Sequence, residues 1–143
     1  MSGPGAAGDG LEIELVGGAD PELRAAAAAT LRRVGVSAGH VAIEIVDAAR
    51  IHNLNRAHRD KDVPTDVLSF PVDGERIAVT GPPPSFTGPL ELGDVVICPA
   101  HTENMVEATV HGVLHLCGYD HEVDDGAMLA LQDEIVSELG AAR

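Results

Sequence analysis

Gly93-Asp-Val-Val-Ile-Cys98 is a short, almost wholly apolar run that follows a proline-rich stretch. A run of this length with no polar alternation reads as a strand covered on both faces, and so as an interior strand of a sheet. Upstream, Asp66-Val-Leu-Ser-Phe70 has the β-branched and aromatic character of a further strand and is ended by Pro71. Residues 73–92 between the two carry Pro82, Pro83 and Pro84 and read as a loop. Earlier still, His40-Val-Ala-Ile-Glu-Ile-Val46 is a second strand, and Leu11-Glu-Ile-Glu-Leu-Val16 alternates apolar and acidic residues as a half-buried strand does.

Helical segments separate and follow these strands. Asp20-Pro21 is a helix start, with Asp as N-cap and Pro at the first helical position, and the Ala-rich run then continues to about Val34 and stops near Gly35. Asp47 caps a helix through about His58, and Arg59-Asp-Lys-Asp-Val-Pro64 is a charged loop. Thr102 is placed to cap a helix to about Cys117, with Gly118 as its terminator, and Asp124 to cap a last helix to about Leu139, with Met128, Leu131 and Ile135 along one face. The order βαβαββαα predicts an α+β (α/β-like) fold: one layer of about four strands packed with about four to five helices. Residues 1–10 read as a flexible tail and 11–143 as a single catalytic domain.

Composition narrows the functional classes. With 45% apolar residues but one Tyr, two Phe and no Trp, the core must be built from Val, Leu, Ile and Ala, and an extended base-stacking platform is disfavoured. Nine Lys and Arg against 23 Asp and Glu give a formal charge of −14, which argues against broad binding to a polyanion but allows contact at one cleft made locally positive by a metal and an Arg. Cys98 and Cys117 have no paired spacing, and neither a signal-like segment nor an apolar run of membrane length is found. The expectation is a cytoplasmic protein with reduced thiols.

The chemistry is concentrated in His111-Gly-Val-Leu-His115-Leu-Cys-Gly118-Tyr-Asp-His121. Residues four apart project from one helix face, so His111 and His115 can reach a common ion. Gly118 lets the chain turn out of the helix and bring His121 back as a third ligand. Three protein ligands with an open position is the catalytic zinc arrangement, whereas structural sites usually have four ligands. Three His and a Gly at these spacings arise by chance in about 0.002 chains of this length and composition. The spacing is that of the metzincin proteases, but their general-base Glu is replaced by Gly112. Peptide hydrolysis needs that base to carry a proton to the amine, while a phosphodiester's developing charge can be met by a metal and an Arg. The substitution moves weight from protease to another hydrolase.

With these residues the sequence resembles the YbeY family of metal-dependent bacterial endoribonucleases. Leu54-Asn55 with Arg59 and Pro64-Thr65-Asp66-Val67-Leu68-Ser69-Phe70-Pro71, then Leu92-Gly93-Asp94-Val95-Val96-Ile97, then the histidine segment, occur in the family's order. The resemblance implies one zinc per chain on His111, His115 and His121, no nucleotide cofactor, and Arg59 as the cleft residue that contacts the phosphate. It implies single-strand-specific cleavage of ribosomal RNA, in maturation of the small-subunit 3′ end and in ribosome quality control, with the ribosome or a ribosomal protein as partner. The segment between Asp94 and His111 is shorter than the family's usual one, which leaves the ligands untouched but alters a wall of the cleft.

Other residues have plain structural readings. Thr65 and Asp66 suit a turn and strand start; Cys117 and Met128 suit core packing. Asp120 suits either a turn or a carboxylate orienting a ligand His. The rival functions are a zinc peptidase and a non-catalytic ribosome-binding module with structural zinc. Because the three His straddle a helix end and the turn after it, a metal should tie these together without being the whole core. Chelation is therefore expected to lower the melting temperature while leaving the protein folded, as followed by circular dichroism; complete unfolding would mark the metal as a structural clamp.

Overall fold

The computed structural model describes residues 10–73, 90–120 and 126–141. Strands β1 (Gly10–Val16), β2 (Ala38–Ile45), β3 (Val67–Pro71) and β4 (Glu91–Ile97) form one sheet in the order β1-β2-β4-β3. The β1/β2 and β2/β4 pairs are parallel and β3/β4 is antiparallel. Helices α1 (Pro21–Arg33), α2 (Ala48–Arg59), α3 (Met105–Leu116) and α4 (Ala127–Ala141) complete the α+β fold.

The apolar run from Leu92 to Cys98 is interior, as its composition requires. Leu92, Val95, Ile97 and Cys98 have no exposed surface and Val96 has 3%. Because successive side chains point to opposite faces, this one strand supplies two cores. Val95 and Ile97 join Leu11, Ile13, Val41 and Ile43 under α1 and α3. Val96 and Cys98 join Leu68 and Ile51 under α2 on the other face. The alanines of α1 belong to this packing: Ala26, Ala27 and Ala28 are buried, and their small volume lets α1 lie close to the sheet and to α3. On the outer side of α3, Val110 and Leu114 meet Met128 and Ile135 of α4, so Met128 is a packing residue.

Two helix starts stand where their acidic caps place them. Asp20 accepts from the Glu22 N–H at 2.8 Å, and Asp47 from the Arg50 N–H at 2.8 Å. α3 departs from the sequence expectation. Its cap is Asn104, whose Oδ1 accepts from the Glu107 N–H at 3.0 Å, and not Thr102. Residues Pro99–His101 form a 3₁₀ turn, and the Thr102 hydroxyl bonds back to the Cys98 carbonyl at 2.7 Å, which removes it from capping. β4 also begins earlier than expected, at Glu91, because His40 pairs with Glu91 across β2/β4. Asp124 and residues 74–89 of the expected loop lie outside the described residues. Among the described residues no helix is long and apolar enough to cross a membrane.

His40 sits across three strands between two carboxylates. Its Nδ1 is 2.9 Å from Glu91 Oε1 and its Nε2 is 3.1 Å from Glu14 Oε1. With an acceptor at each nitrogen the imidazolium can donate twice, and the hydrogen bond to Glu91, followed by that to Glu14, outweighs desolvation and raises the pKa above 6.5. Asp94 nearby is also raised, first by burial and then by Glu91. A raised folded pKa means the folded state holds extra protons. The His40 contribution is therefore fully present below the unfolded value and is lost as pH rises through the folded one, and Asp94 acts with the same sign from a lower pH. Urea unfolding is expected to show stability falling as pH rises from 6.5 through the raised His40 value, and His40→Gln should remove most of that slope.

Candidate metal centre

The i, i+4 spacing places His111 and His115 one turn apart on α3, with ring centroids 4.7 Å apart and ring planes at 75°. Both rings are half-buried, and both line a cleft of about 880 Å³ between α3, β3 and the C-terminal end of α2. Arg59, the last residue of α2, lines the same cleft. The chain turns away immediately after it, because Asp60 caps α2 in the left-handed conformation at φ 57°. Buried Asn55 holds that turn by donating from Nδ2 to the Val63 carbonyl at 2.9 Å.

α3 is pinned against the sheet at one point between the two histidines. A Cβ on Gly112 would come within 2.5 Å of Val95 Cγ1 and 3.1 Å of Val67 Cγ2, so only glycine fits this approach. On the same turn the Ser69 hydroxyl donates to the Gly112 carbonyl at 2.7 Å, stitching β3 to α3. Position 112 thus faces the sheet. The residue that would carry a protease's general base is filled by packing, and no carboxylate can stand there without displacing Val95.

The remaining sequence candidates divide by position. Asp120 is exposed and lines the same cleft, as does Tyr119. Asp66 lines it too, while its Oδ1 accepts from the Val67 N–H at 2.8 Å, the local bond of a strand start. Cys117 is fully buried, and burial pushes its thiol up to about 12, so it is a protonated core residue. Gly118, at φ 93°, makes the turn out of α3 expected from the sequence. His121 itself lies outside the described residues.

Three contributors were not anticipated from sequence. His58 lines the cleft with its ring edge-to-face on Phe70, centroids 5.0 Å apart. Ser69 is the stitch already described. Gln132, 7% exposed on α4, has Oε1 2.7 Å from His111 Nδ1. It completes the apolar stripe of Met128, Leu131 and Ile135, and a polar residue on a buried stripe is the sequence signal that could have found it. The donor chemistry fits a zinc ion: two imidazoles a turn apart, the first with its Nδ1 tied back into the protein.

An alanine at position 112 is expected to destabilise the fold by about 1–3 kcal/mol through overpacking against Val95. Helix propensity alone would favour Ala over Gly by about 1 kcal/mol. Urea unfolding of Gly112→Ala decides which effect wins; a stabilised variant would show that α3 can move off the sheet.

Comparison with known proteins follows the same residues. A family model described as Endoribonuclease YbeY matches residues 21–140. The Endoribonuclease YbeY of Stenotrophomonas maltophilia is 44% identical over 116 residues, covering 71% of this chain and 69% of that protein. That of Alcanivorax borkumensis is 40% identical over 119 residues, covering 71% and 63%, and that of Corynebacterium kroppenstedtii 36% over 115 residues, covering 71% and 57%. The matched part thus spans between 57% and 69% of the length of these relatives. The solution structure of TM1509 from Thermotoga maritima superposes with a TM-score of 0.53 at 26% identity, covering 92% of this chain and 90% of that one.

Proposed function

The chain belongs to the YbeY family of endoribonucleases, and on that premise we propose that it is a zinc-dependent, single-strand-specific endoribonuclease. The observation that carries this reading is one cleft lined by His111, His115 and Arg59 together. His111, His115 and His121 would hold the zinc, one per chain, and when bound it supplies Lewis acidity at a phosphate oxygen.

The protein's own groups do the rest. Arg59 offers a planar fork of donors that can make two hydrogen bonds to phosphate oxygens and stays charged at any working pH. Charge developing on the phosphoryl oxygens during cleavage is what such a fixed cation stabilises most. It ends α2, and the Asn55 bond to the Val63 carbonyl holds the backbone turn that follows it. Phe70 and Tyr119 give the cleft an apolar flank, and Asp120, which lines the cleft, would orient a ligand histidine. With a formal charge of −14, the rest of the surface repels RNA, so contact is confined to a few phosphates and binding should depend only shallowly on salt.

The finer reading takes the RNA to be ribosomal, cleaved in maturation of the small-subunit 3′ end and in ribosome quality control, in the cytoplasm, with the ribosome or a ribosomal protein as partner. The acidic surface suits a basic ribosomal protein. A peptidase is disfavoured by the packing at Gly112.

Zinc-loaded protein is expected to cut a single-stranded RNA and leave casein intact. His115→Ala should lose zinc and activity together. Arg59→Glu should lower RNA cleavage by at least about 10²-fold with zinc content and melting temperature unchanged, and Arg59→Lys should fall between. Cleavage by Arg59→Glu at the wild-type rate would remove Arg59 from the site; unchanged zinc in all three single His→Ala variants would refute the metal assignment.

A further inference from the structure

The contact between α3 and α4 at Gln132 has a consequence for the cleft. Gln132 is almost fully buried beside Met128 and Ile135, in the cluster where α4 packs on Val110 and Leu114 of α3. Its Oε1 stands 2.7 Å from His111 Nδ1, at the short end for a hydrogen bond between neutral groups. With Oε1 turned to the ring the amide can only accept, so this bond calls for the proton on Nδ1 and leaves Nε2 as the nitrogen that Gln132 does not engage.

We propose that Gln132 is a positioning residue for the metal centre: by accepting the Nδ1 proton of His111 it fixes the ring tautomer and rotamer that ligation through Nε2 requires. The consequence for metal binding rests on the zinc reading given above; the hold on the tautomer does not.

Three features favour this over packing alone. A polar side chain on a buried helix stripe is costly unless it makes a specific bond, and a methionine would fill the same volume without one. The acceptor is an amide and not a carboxylate, so it orients the imidazole without adding a charge to an apolar interface. The bond also joins residues 21 apart in sequence, on two helices that pack through the apolar cluster of Val110, Leu114, Met128 and Ile135. The ring of His111 is therefore set by how α4 packs, and α4, which lines no part of the cleft, becomes part of what orients the site.

The test uses the full chain and two variants. In metal-free wild-type protein at pH 8, long-range proton–nitrogen NMR of the histidine rings should show His111 with Nδ1 protonated. Gln132→Met keeps the volume and removes the acceptor. It should shift His111 towards the Nε2–H tautomer and weaken zinc binding, measured by competition with a chromogenic chelator, by about 10–100-fold. Gln132→Glu restores an acceptor and should return both the tautomer and, to within a few fold, the affinity. If Gln132→Met keeps the Nδ1–H tautomer, or if both variants weaken zinc binding equally, the proposal is overturned. Failure of the zinc reading has a different signature, unchanged zinc content in His111→Ala, and in that event a tautomer that follows residue 132 in metal-free protein still supports the hold of Gln132 on the ring.

Discussion

The contact between Gly112 and Val95 sets the geometry on which the cleft depends. A helix crossing a sheet normally stands off by the length of its side chains. Here one position of α3, Gly112, has no side chain towards the sheet, and Val95 fills the space that a Cβ would need. The backbone of α3 comes close enough to β3 for the Ser69 hydroxyl to reach the Gly112 carbonyl. His111 flanks that glycine and His115 lies three residues on, so the point of closest approach fixes where both imidazoles stand relative to β3 and the end of α2.

This geometry also accounts for the chemistry the site lacks. The spacing of the histidines is shared with zinc proteases, but position 112 is buried against the sheet, and a carboxylate there would be desolvated as well as overpacked. A protease-like ligand spacing and a nuclease family membership are therefore compatible. On the proposed reading the helix would provide a ligand pair, and Arg59, which ends α2 and lines the same cleft, would meet the phosphate.

Opposed charge is handled by confinement. A chain with 23 acidic and nine basic residues gives no general attraction for RNA. The cleft gathers Arg59, His58, His111 and His115 in one place, with Phe70 and Tyr119, two of the chain's three Tyr and Phe residues. Scarce aromatics argued against an extended stacking platform; the structure places two of them in this cleft.

Much of this was legible in the sequence because it is local. Asp20 and Asp47 cap their helices with bonds spanning two or three residues, the alternation in Leu11–Val16 records one buried face, and the apolar run at Gly93–Cys98 records two. The pairing of His111 with His115 follows from helical spacing alone. What the tertiary structure decided is long-range. Asn104 replaced Thr102 as a cap because the Thr102 hydroxyl found the Cys98 carbonyl through a turn that no periodicity announces. Arg59 shares a cleft with the histidines only because β3, which follows α2, packs beside α3. Gln132 reaches His111, 21 residues away in sequence, only because their two helices dock on each other. Spacing along one element is fixed by backbone geometry and so can be read from residues; which elements meet depends on how their buried faces pack, and only the folded chain determines that.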